Sequence, residues 1–175
     1  MSDRSIFSRY RLFIFDADET LRRTTVAGQP CPRQADEWLL LPGVRQRLSG
    51  VSWNHGDGPY LGIASNQDQV GYGHLSFATA RQLLRDLANS AAGVHLPDAA
   101  LQLCPHRLEV SCGCRKPEAG MLRAIMEYYQ VPPSETVFVG NDEPDREAAA
   151  RAGTDFMWAA DFFGMDEPTA QIQLS

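Results

Sequence analysis

Tyr10-Arg-Leu-Phe-Ile-Phe15-Asp16-Ala-Asp18-Glu-Thr20-Leu21 decides how the rest of the chain is read. Its first half is a short run of large apolar side chains ending in acids, which predicts a strand buried on both faces. Its second half sets two carboxylates two residues apart where that strand gives way to a loop. In open α/β sheets ligands gather at the carboxyl ends of strands, so the next question is whether other polar residues also follow strands.

They do. Tyr60 to Ala64 reads as a second buried strand ending at Ser65-Asn66-Gln67, and Ala99 to Leu103 as a third running into a cysteine cluster. Thr136 to Val139 reads as a fourth, followed by Gly140-Asn141-Asp142, and Asp155 to Ala159 as a fifth. Helices are expected between them. One is brief, Val44 to Leu48. Another carries Phe77, Leu83, Leu84, Leu87 and Ala91 at helical spacing behind Ser76 as N-cap. A third opens at Pro117 and runs through Tyr129 with Met121, Leu122, Ile125 and Met126 as its apolar stripe. A fourth spans Arg146 to Ala152 and is closed by Gly153. Arg22 to Leu41, polar and punctuated by Gly28, Pro30 and Pro32, reads as a loop with at most a short helical turn; Trp53 to Pro59 is a turn-rich connection. This alternation implies a parallel sheet covered on both faces: a Rossmann-like, doubly wound α/β fold in one domain over residues 1–175.

A hydrophobic fraction of 43% with 22% charged residues is that of a soluble globular chain. The net charge of −6, from 16 basic against 22 acidic residues, argues against broad nucleic-acid binding but leaves room for a local anion pocket. The apolar run at Leu12 to Phe15 is too short for a signal sequence or a membrane span, so a cytoplasmic location is the default expectation, with a monomer favoured. His55, His74 and His95 are expected in solvent, and Trp38, Trp53 and Trp158 in packing roles. Phe162-Phe163 is expected either to dock on the core or to meet a partner. Of the 16 basic residues only Lys116 is a lysine, which suggests a position where a compact ammonium is needed.

Asp16 and Asp18 can both point into one crevice, one attacking phosphorus while the other handles protons, with a divalent cation offsetting their repulsion. Mg²⁺ suits such oxygen donors. Taken alone, the pair is equally compatible with an acidic loop in which Asp18 or Thr20 caps a helix. Ser65-Asn66-Gln67 offers a hydroxyl and amides to phosphate oxygens, and Arg115-Lys116-Pro117 offers two cations just before an expected helix N-terminus. Each of these signals is weak by itself. The cysteine cluster is more specific. Cys104-Pro-His106, then Cys112-Gly-Cys114, supplies three thiolates and an imidazole, a closed structural zinc set, and outweighs a reading as buried unliganded cysteines. Cys31 stands apart as a spare thiol.

Asp16-x-Asp18-x-Thr20-Leu21, a serine after the second strand, a lysine before a helix and acids after a later strand together resemble the haloacid dehalogenase superfamily over Leu12 to Gly153. The resemblance implies a core without a large cap domain and a phosphoaspartyl mechanism. Asp16 is then the nucleophile, and Asp18 protonates the leaving oxygen and activates water. Thr20, Ser65 and Lys116 hold the phosphoryl oxygens, with Mg²⁺ on Asp16, Asp18 and the later cluster. Cys104-Pro-His106 … Cys112-Gly-Cys114-Arg115-Lys116-Pro117 … Gly120-Met121-Leu122 further resembles the D-glycero-D-manno-heptose 1,7-bisphosphate phosphatases and the related histidinol-phosphate phosphatases. In those families the zinc loop, here residues 104–114, orders a specificity segment, and residues matching Asn66, Gln67 and Arg115 contact substrate. Two departures stand out: Glu19 where the family has glycine, and Asn141 where it has its metal-binding aspartate. Asn141 or Asp142, rather than Asp145, is therefore expected to complete the Mg²⁺ shell.

The expected activity is Mg²⁺-dependent hydrolysis of a small phosphorylated metabolite, a sugar phosphate or bisphosphate first. The alternatives are a polynucleotide 3′-phosphatase, opposed by the net charge and the zinc loop, and a non-catalytic phosphate-binding module whose metal site has decayed at Asn141.

Overall fold

The computed structural model describes residues 5–165, so the outermost residues of the expected 1–175 domain lie outside it. Strand β1 (Leu12–Phe15) is buried along its whole length and lies at the centre of a five-stranded sheet. Its side chains alternate between the two faces. Phe13 and Phe15 enter one core with Trp53, Leu61, Ile63 and Val139, while Leu12 and Ile14 enter the other with Ala64 and Phe138. Two separate cores, one on each face, are what a doubly wound sheet requires, and they explain why this strand is apolar at every position.

The elements follow in chain order. A short helix α1 (Ser5–Arg9) precedes β1, and β2 (Arg22–Thr24), β3 (Trp38–Leu40) and α2 (Val44–Leu48) follow it. Next come β4 (Tyr60–Asn66), α3 (Asp68–Gly71), α4 (Phe77–Ala92) and β5 (Leu101–Cys104). The last described elements are α5 (Gly120–Tyr129), β6 (Thr136–Gly140), α6 (Glu143–Ala152), β7 (Asp155–Trp158) and α7 (Ala159–Phe163). The sheet order is β5-β4-β1-β6-β7 and every pair is parallel, with Phe15 in register with Ile63 on one side and Val139 on the other. The chain therefore leaves β1 toward β4 and β5, then crosses back to β6. The carboxyl end of β1 is the switch point of the sheet, and Asp16 is the first residue beyond it.

Most expected elements are present; α1 and α7 are additional, α6 begins at Glu143 instead of Arg146 because Asp142 caps it, and four further differences stand out. Arg22 to Leu41 is not simply loop: β2 and β3 pair antiparallel, Arg22 opposite Leu40 and Thr24 opposite Trp38, as a small ribbon above the site. Helix α5 begins at Gly120, not Pro117. The backbone before it is held by the cysteine loop, with Gly120 N–H donating to the Gly113 carbonyl at 3.0 Å. A Cβ at Gly120 would lie 2.2 Å from that carbonyl oxygen, so only glycine lets loop and helix approach. Once started, α5 buries Met121, Leu122, Ile125 and Met126, each worth about 1.5–3 kcal/mol, which outweighs an N-terminus without a side-chain cap. The short helix α3 had no clear periodic signal. Trp158 does not pack inside: it is 39% exposed, with Phe156 edge-on at 4.9 Å.

Other local readings hold. Ser76 caps α4 by accepting from Thr79 N–H at 3.0 Å, and Gly153 ends α6 in the left-handed region. Phe162 and Phe163 dock on the core, Cys31 is a buried free thiol, and His55, His74 and His95 are exposed. No helix among the described residues is long and apolar enough to cross a membrane.

Candidate active site

Asp16 extends the sheet by one bond, its N–H donating to the Val139 carbonyl at 2.9 Å, which fixes the carboxylate at the mouth of the crevice. The chain then turns tightly: the Ala17 carbonyl accepts from the N–H groups of Leu21 at 2.9 Å and Arg22 at 3.1 Å. The turn puts Glu19 at φ 62°, the left-handed conformation that a glycine takes without penalty. For glutamate this costs about 1 kcal/mol, and the exposed Arg23–Glu19 ion pair at 2.6 Å returns only a part of it.

Lys116 reaches the same point from the far side of the sheet. Its Nζ donates to Asp16 Oδ1 at 2.6 Å and to the Ala64 carbonyl at 3.0 Å, and lies 2.7 Å from Asp145 Oδ1. Two hydrogen bonds and an ion pair thus hold the ammonium in a site from which water is nearly excluded, Lys116 being 4% exposed. Burial alone would lower the lysine's pKa; Asp16 and Asp145 more than reverse this and keep it an ammonium. Burial pushes the Asp16 carboxyl up to about 7, with Asp145 and Asp18 acting in the same direction and Lys116 against it. A second cation beside Asp16 would hold it ionised at neutral pH.

The donors for such a cation are present. Asn141 presents its side-chain amide to Asp16 Oδ2 at 3.2 Å, to the main-chain carbonyl of Asp18 at 3.3 Å and to Thr20 Oγ1 at 3.1 Å. The amide has nearly the same shape in its two orientations. With its nitrogen inward it donates to these oxygens; with its oxygen inward it accepts from Thr20 Oγ1 and stands beside Asp16 Oδ2 and the Asp18 carbonyl, an oxygen donor set that suits a hard cation. Octahedral Mg²⁺ with oxygens at about 2.1 Å sets neighbouring ligands roughly 3.0 Å apart, close to the spacing found. The charge balance agrees. Among the described residues, Asp16, Asp18 and Asp145 are in ion-pair contact with Lys116 and Arg22 alone, before any phosphoryl dianion enters.

Several of the expected site residues have protein partners of their own. Asp142 caps α6, its Oδ1 accepting from Asp145 N–H at 3.2 Å, so its carboxylate is turned to the helix and not to Asp16. Asn66 is occupied on both amide atoms by the Lys116 backbone, accepting from its N–H at 3.0 Å and donating to its carbonyl at 3.2 Å. Through these two bonds it fixes the backbone of the lysine. Gln67 Nε2 donates to Asp18 Oδ2 at 2.7 Å and to Ser65 Oγ at 2.8 Å, tying acid to hydroxyl. Arg115 donates to the His106 carbonyl at 3.2 Å, which links the cysteine loop to the site.

Asp145, which the sequence offered only as the less favoured metal ligand, and Arg22, to which it gave no role, both belong to the site. Asp145 is buried against Lys116, and its Oδ2 accepts from Asn141 N–H at 3.0 Å. The same carboxylate would strike a Cβ at Gly140, which explains that glycine. Arg22 is fully buried and pairs with Asp18 at 2.8 Å. Both stand four residues after a site residue, a spacing that could have drawn attention to them.

Beside Asn141 opens a cleft of about 850 Å³ bordered by Glu19, Arg23, Leu41, Trp158 and Asp161; it meets the reacting side chains only at Asn141. On the opposite side Cys104, His106, Cys112 and Cys114 converge, their donor atoms all within 4.8 Å of one another. The Sγ–Sγ distances are 3.7 Å (Cys104–Cys112) and 3.5 Å (Cys112–Cys114), and His106 Nδ1 lies 3.4 and 3.3 Å from Cys104 and Cys114. A tetrahedral Zn²⁺ with bonds of about 2.3 Å to sulfur places its ligands roughly 3.6–3.8 Å apart, so the loop is shaped for one.

Comparison with known proteins agrees with this geometry. A family model described as polynucleotide kinase 3 phosphatase matches residues 11–167. The D-glycero-beta-D-manno-heptose-1,7-bisphosphate 7-phosphatase of Pseudomonas putida is 31% identical over 146 residues, covering 82% of this chain and 78% of the relative. That of Bordetella bronchiseptica is 32% identical over 146 residues, covering 82% and 76%. A crystal structure of the B. bronchiseptica D,D-heptose 1,7-bisphosphate phosphatase with magnesium and phosphate superimposes with a TM-score of 0.66 at 29% identity, covering 83% of this chain and 78% of that one. An aspartate at the switch point, its buried lysine and a four-ligand cysteine loop, on a chain this similar to these enzymes, make it a phosphatase of the haloacid dehalogenase superfamily that belongs to the heptose-1,7-bisphosphate phosphatase branch.

Proposed function

We propose that this chain hydrolyses a small phosphorylated sugar, a sugar bisphosphate first, through a phosphoaspartyl intermediate on Asp16, with Mg²⁺ beside Asp16 and a structural Zn²⁺ in the loop 104–114. The observation that carries the reading is the division of the Asp16 carboxylate. Oδ1 faces Lys116, and Oδ2 faces the oxygen set of Asn141 and Asp18. Bound there, Mg²⁺ would offset charge on Asp16 and on the phosphoryl group. Lys116, Thr20 and Ser65 line the place for the phosphoryl oxygens. Asp18 serves as acid and then base, and Arg115 borders the leaving group from the zinc loop.

The name of the matching family model raises the nucleic-acid alternative. Against it, the exposed arginines are largely paired with acids: Arg9 with Asp155, Arg11 with Glu135, Arg81 and Arg85 with Asp98, Arg151 with Glu118 and Glu147. Paired arginines add little to a strip that a phosphate backbone could follow. A panel of heptose 1,7-bisphosphate, histidinol phosphate and a 3′-phosphorylated oligonucleotide, assayed for phosphate release with Mg²⁺, tests the reading. The bisphosphate should lead in kcat/KM by about 10²-fold or more. Preference for the oligonucleotide would overturn it.

The metal assignment has its own test. Asn141→Asp restores a charged ligand and should lower the Mg²⁺ concentration for half-maximal activity roughly tenfold, the equivalent of about 1.4 kcal/mol. Asp142→Asn should leave it unchanged, since asparagine caps helices as well as aspartate does. The reverse pattern in a Mg²⁺ titration would place the metal on Asp142.

A further inference from the structure

Each of the two carboxylates at the strand end has its own buried cation. Asp16 has Lys116. Asp18 has Arg22, the first residue of β2, brought back beneath it by the turn that hydrogen-bonds Arg22 N–H to the Ala17 carbonyl at 3.1 Å and Glu19 N–H to the Arg22 carbonyl at 2.7 Å. Arg22 Nε donates to Asp18 Oδ1 at 2.8 Å and Nη1 to the Leu83 carbonyl of α4 at 3.3 Å, and the guanidinium lies over the Trp38 ring at 5.9 Å. Among the described residues Asp18 is the one carboxylate in ion-pair contact with it. A guanidinium does not give up its proton, so this fully buried charge is committed to Asp18.

The geometry points to Arg22 as a positioning residue for acid–base chemistry at Asp18, a role that rests on the phosphatase reading. Arg22 occupies Oδ1. Oδ2 is on the Ser65 side, where it accepts from the Gln67 amide that also donates to Ser65 Oγ, and it is the oxygen left for proton exchange with the leaving group and water. In the first half-reaction an Asp16 oxygen bonds to phosphorus and the phosphorus–ester oxygen bond breaks. The departing oxygen keeps the electron pair and takes the proton from Asp18 Oδ2. In the second, a water oxygen bonds to phosphorus and loses a proton to Asp18 Oδ2. The bond from phosphorus to Asp16 breaks, its electrons returning to the carboxylate. Alcohol and phosphate leave, one water is consumed, and Asp18 ends as it began. Arg22 touches none of the reacting atoms. It fixes which Asp18 oxygen meets them.

Leaving-group dependence separates this role from a structural one. An alkoxide needs a proton as it departs; acetate or p-nitrophenolate does not. Arg22→Met should lower the rate at which an alkyl phosphate phosphorylates the protein, read by rapid quench, by about 10²-fold or more, yet lower that rate with acetyl phosphate, whose leaving group needs no proton, less than about fivefold. Arg22→Lys, which keeps the charge but not the fork, should fall between on the alkyl substrate alone. Equal losses on both substrate classes, in protein that melts like the wild type, would overturn the assignment. If Arg22→Met does not fold, Arg22→Lys decides by the same ratio, and failure of the lysine variant to fold would mark the arginine as structural and overturn the assignment as well. A wild-type protein inactive on both classes would strike down the phosphatase reading itself, a result distinct from any of these.

Discussion

Asp16→Asn eliminates phosphate release while the protein remains folded: turnover should fall by at least about three orders of magnitude, roughly 4 kcal/mol of barrier. The amide keeps the shape of the carboxylate but cannot attack phosphorus. The fold should survive because Lys116 is left with Asp145 at 2.7 Å and the Ala64 carbonyl at 3.0 Å, so no buried charge is orphaned. Rapid-quench trapping of a phosphorylated protein checks it, with wild type labelled and the variant not. More than a small fraction of wild-type turnover in the variant would exclude Asp16 as nucleophile.

Removing the loop metal should have the next largest effect, on stability and activity together. The purified protein is expected to hold about one zinc per chain, and Cys112→Ser to lose it, because three remaining ligands no longer close the tetrahedron. Cys104 stays buried at the end of β5, but the rest of the loop loses its anchor. A loss of about 3 kcal/mol in a chain of this size corresponds to roughly 6–12 °C in Tm. Cys114 lies two residues before Lys116, and the loop backbone seats the start of α5, so activity should fall with the zinc and not return on adding Mg²⁺. Elemental analysis and thermal melts of both proteins measure this. Unchanged zinc content in Cys112→Ser would remove the cysteine from the ligand set.

The fold was legible because its determinants are local and repeated. Phe13 and Phe15 alternate with Leu12 and Ile14 between two cores, and the stripe of Met121, Leu122, Ile125 and Met126 recurs at the helical period. Such patterns record which faces are buried whatever the chain does elsewhere. The Cys104–Cys114 cluster was legible for a related reason, since four ligands within eleven residues are neighbours in space as well as in sequence. What stayed hidden depends on contacts between distant segments. The β2–β3 ribbon pairs Thr24 with Trp38 across a loop, and three-residue strands carry no usable period. The start of α5 moved because the Gly113 carbonyl holds Gly120. Asp142, Asn66 and Asp145 could not be told apart as ligand, clamp or partner from residue type, because an amide or carboxylate suits all three. Only the tertiary structure assigned them, by setting Asp142 at the N-terminus of α6, Asn66 against the Lys116 backbone and Asp145 on its ammonium. Residue types and periods determined the sheet, the strand-end site and the candidate ligands. Which oxygen meets which cation was decided by packing, because a hydrogen bond or ion pair depends on positions about 3 Å apart that the fold brings together from a hundred residues away or more.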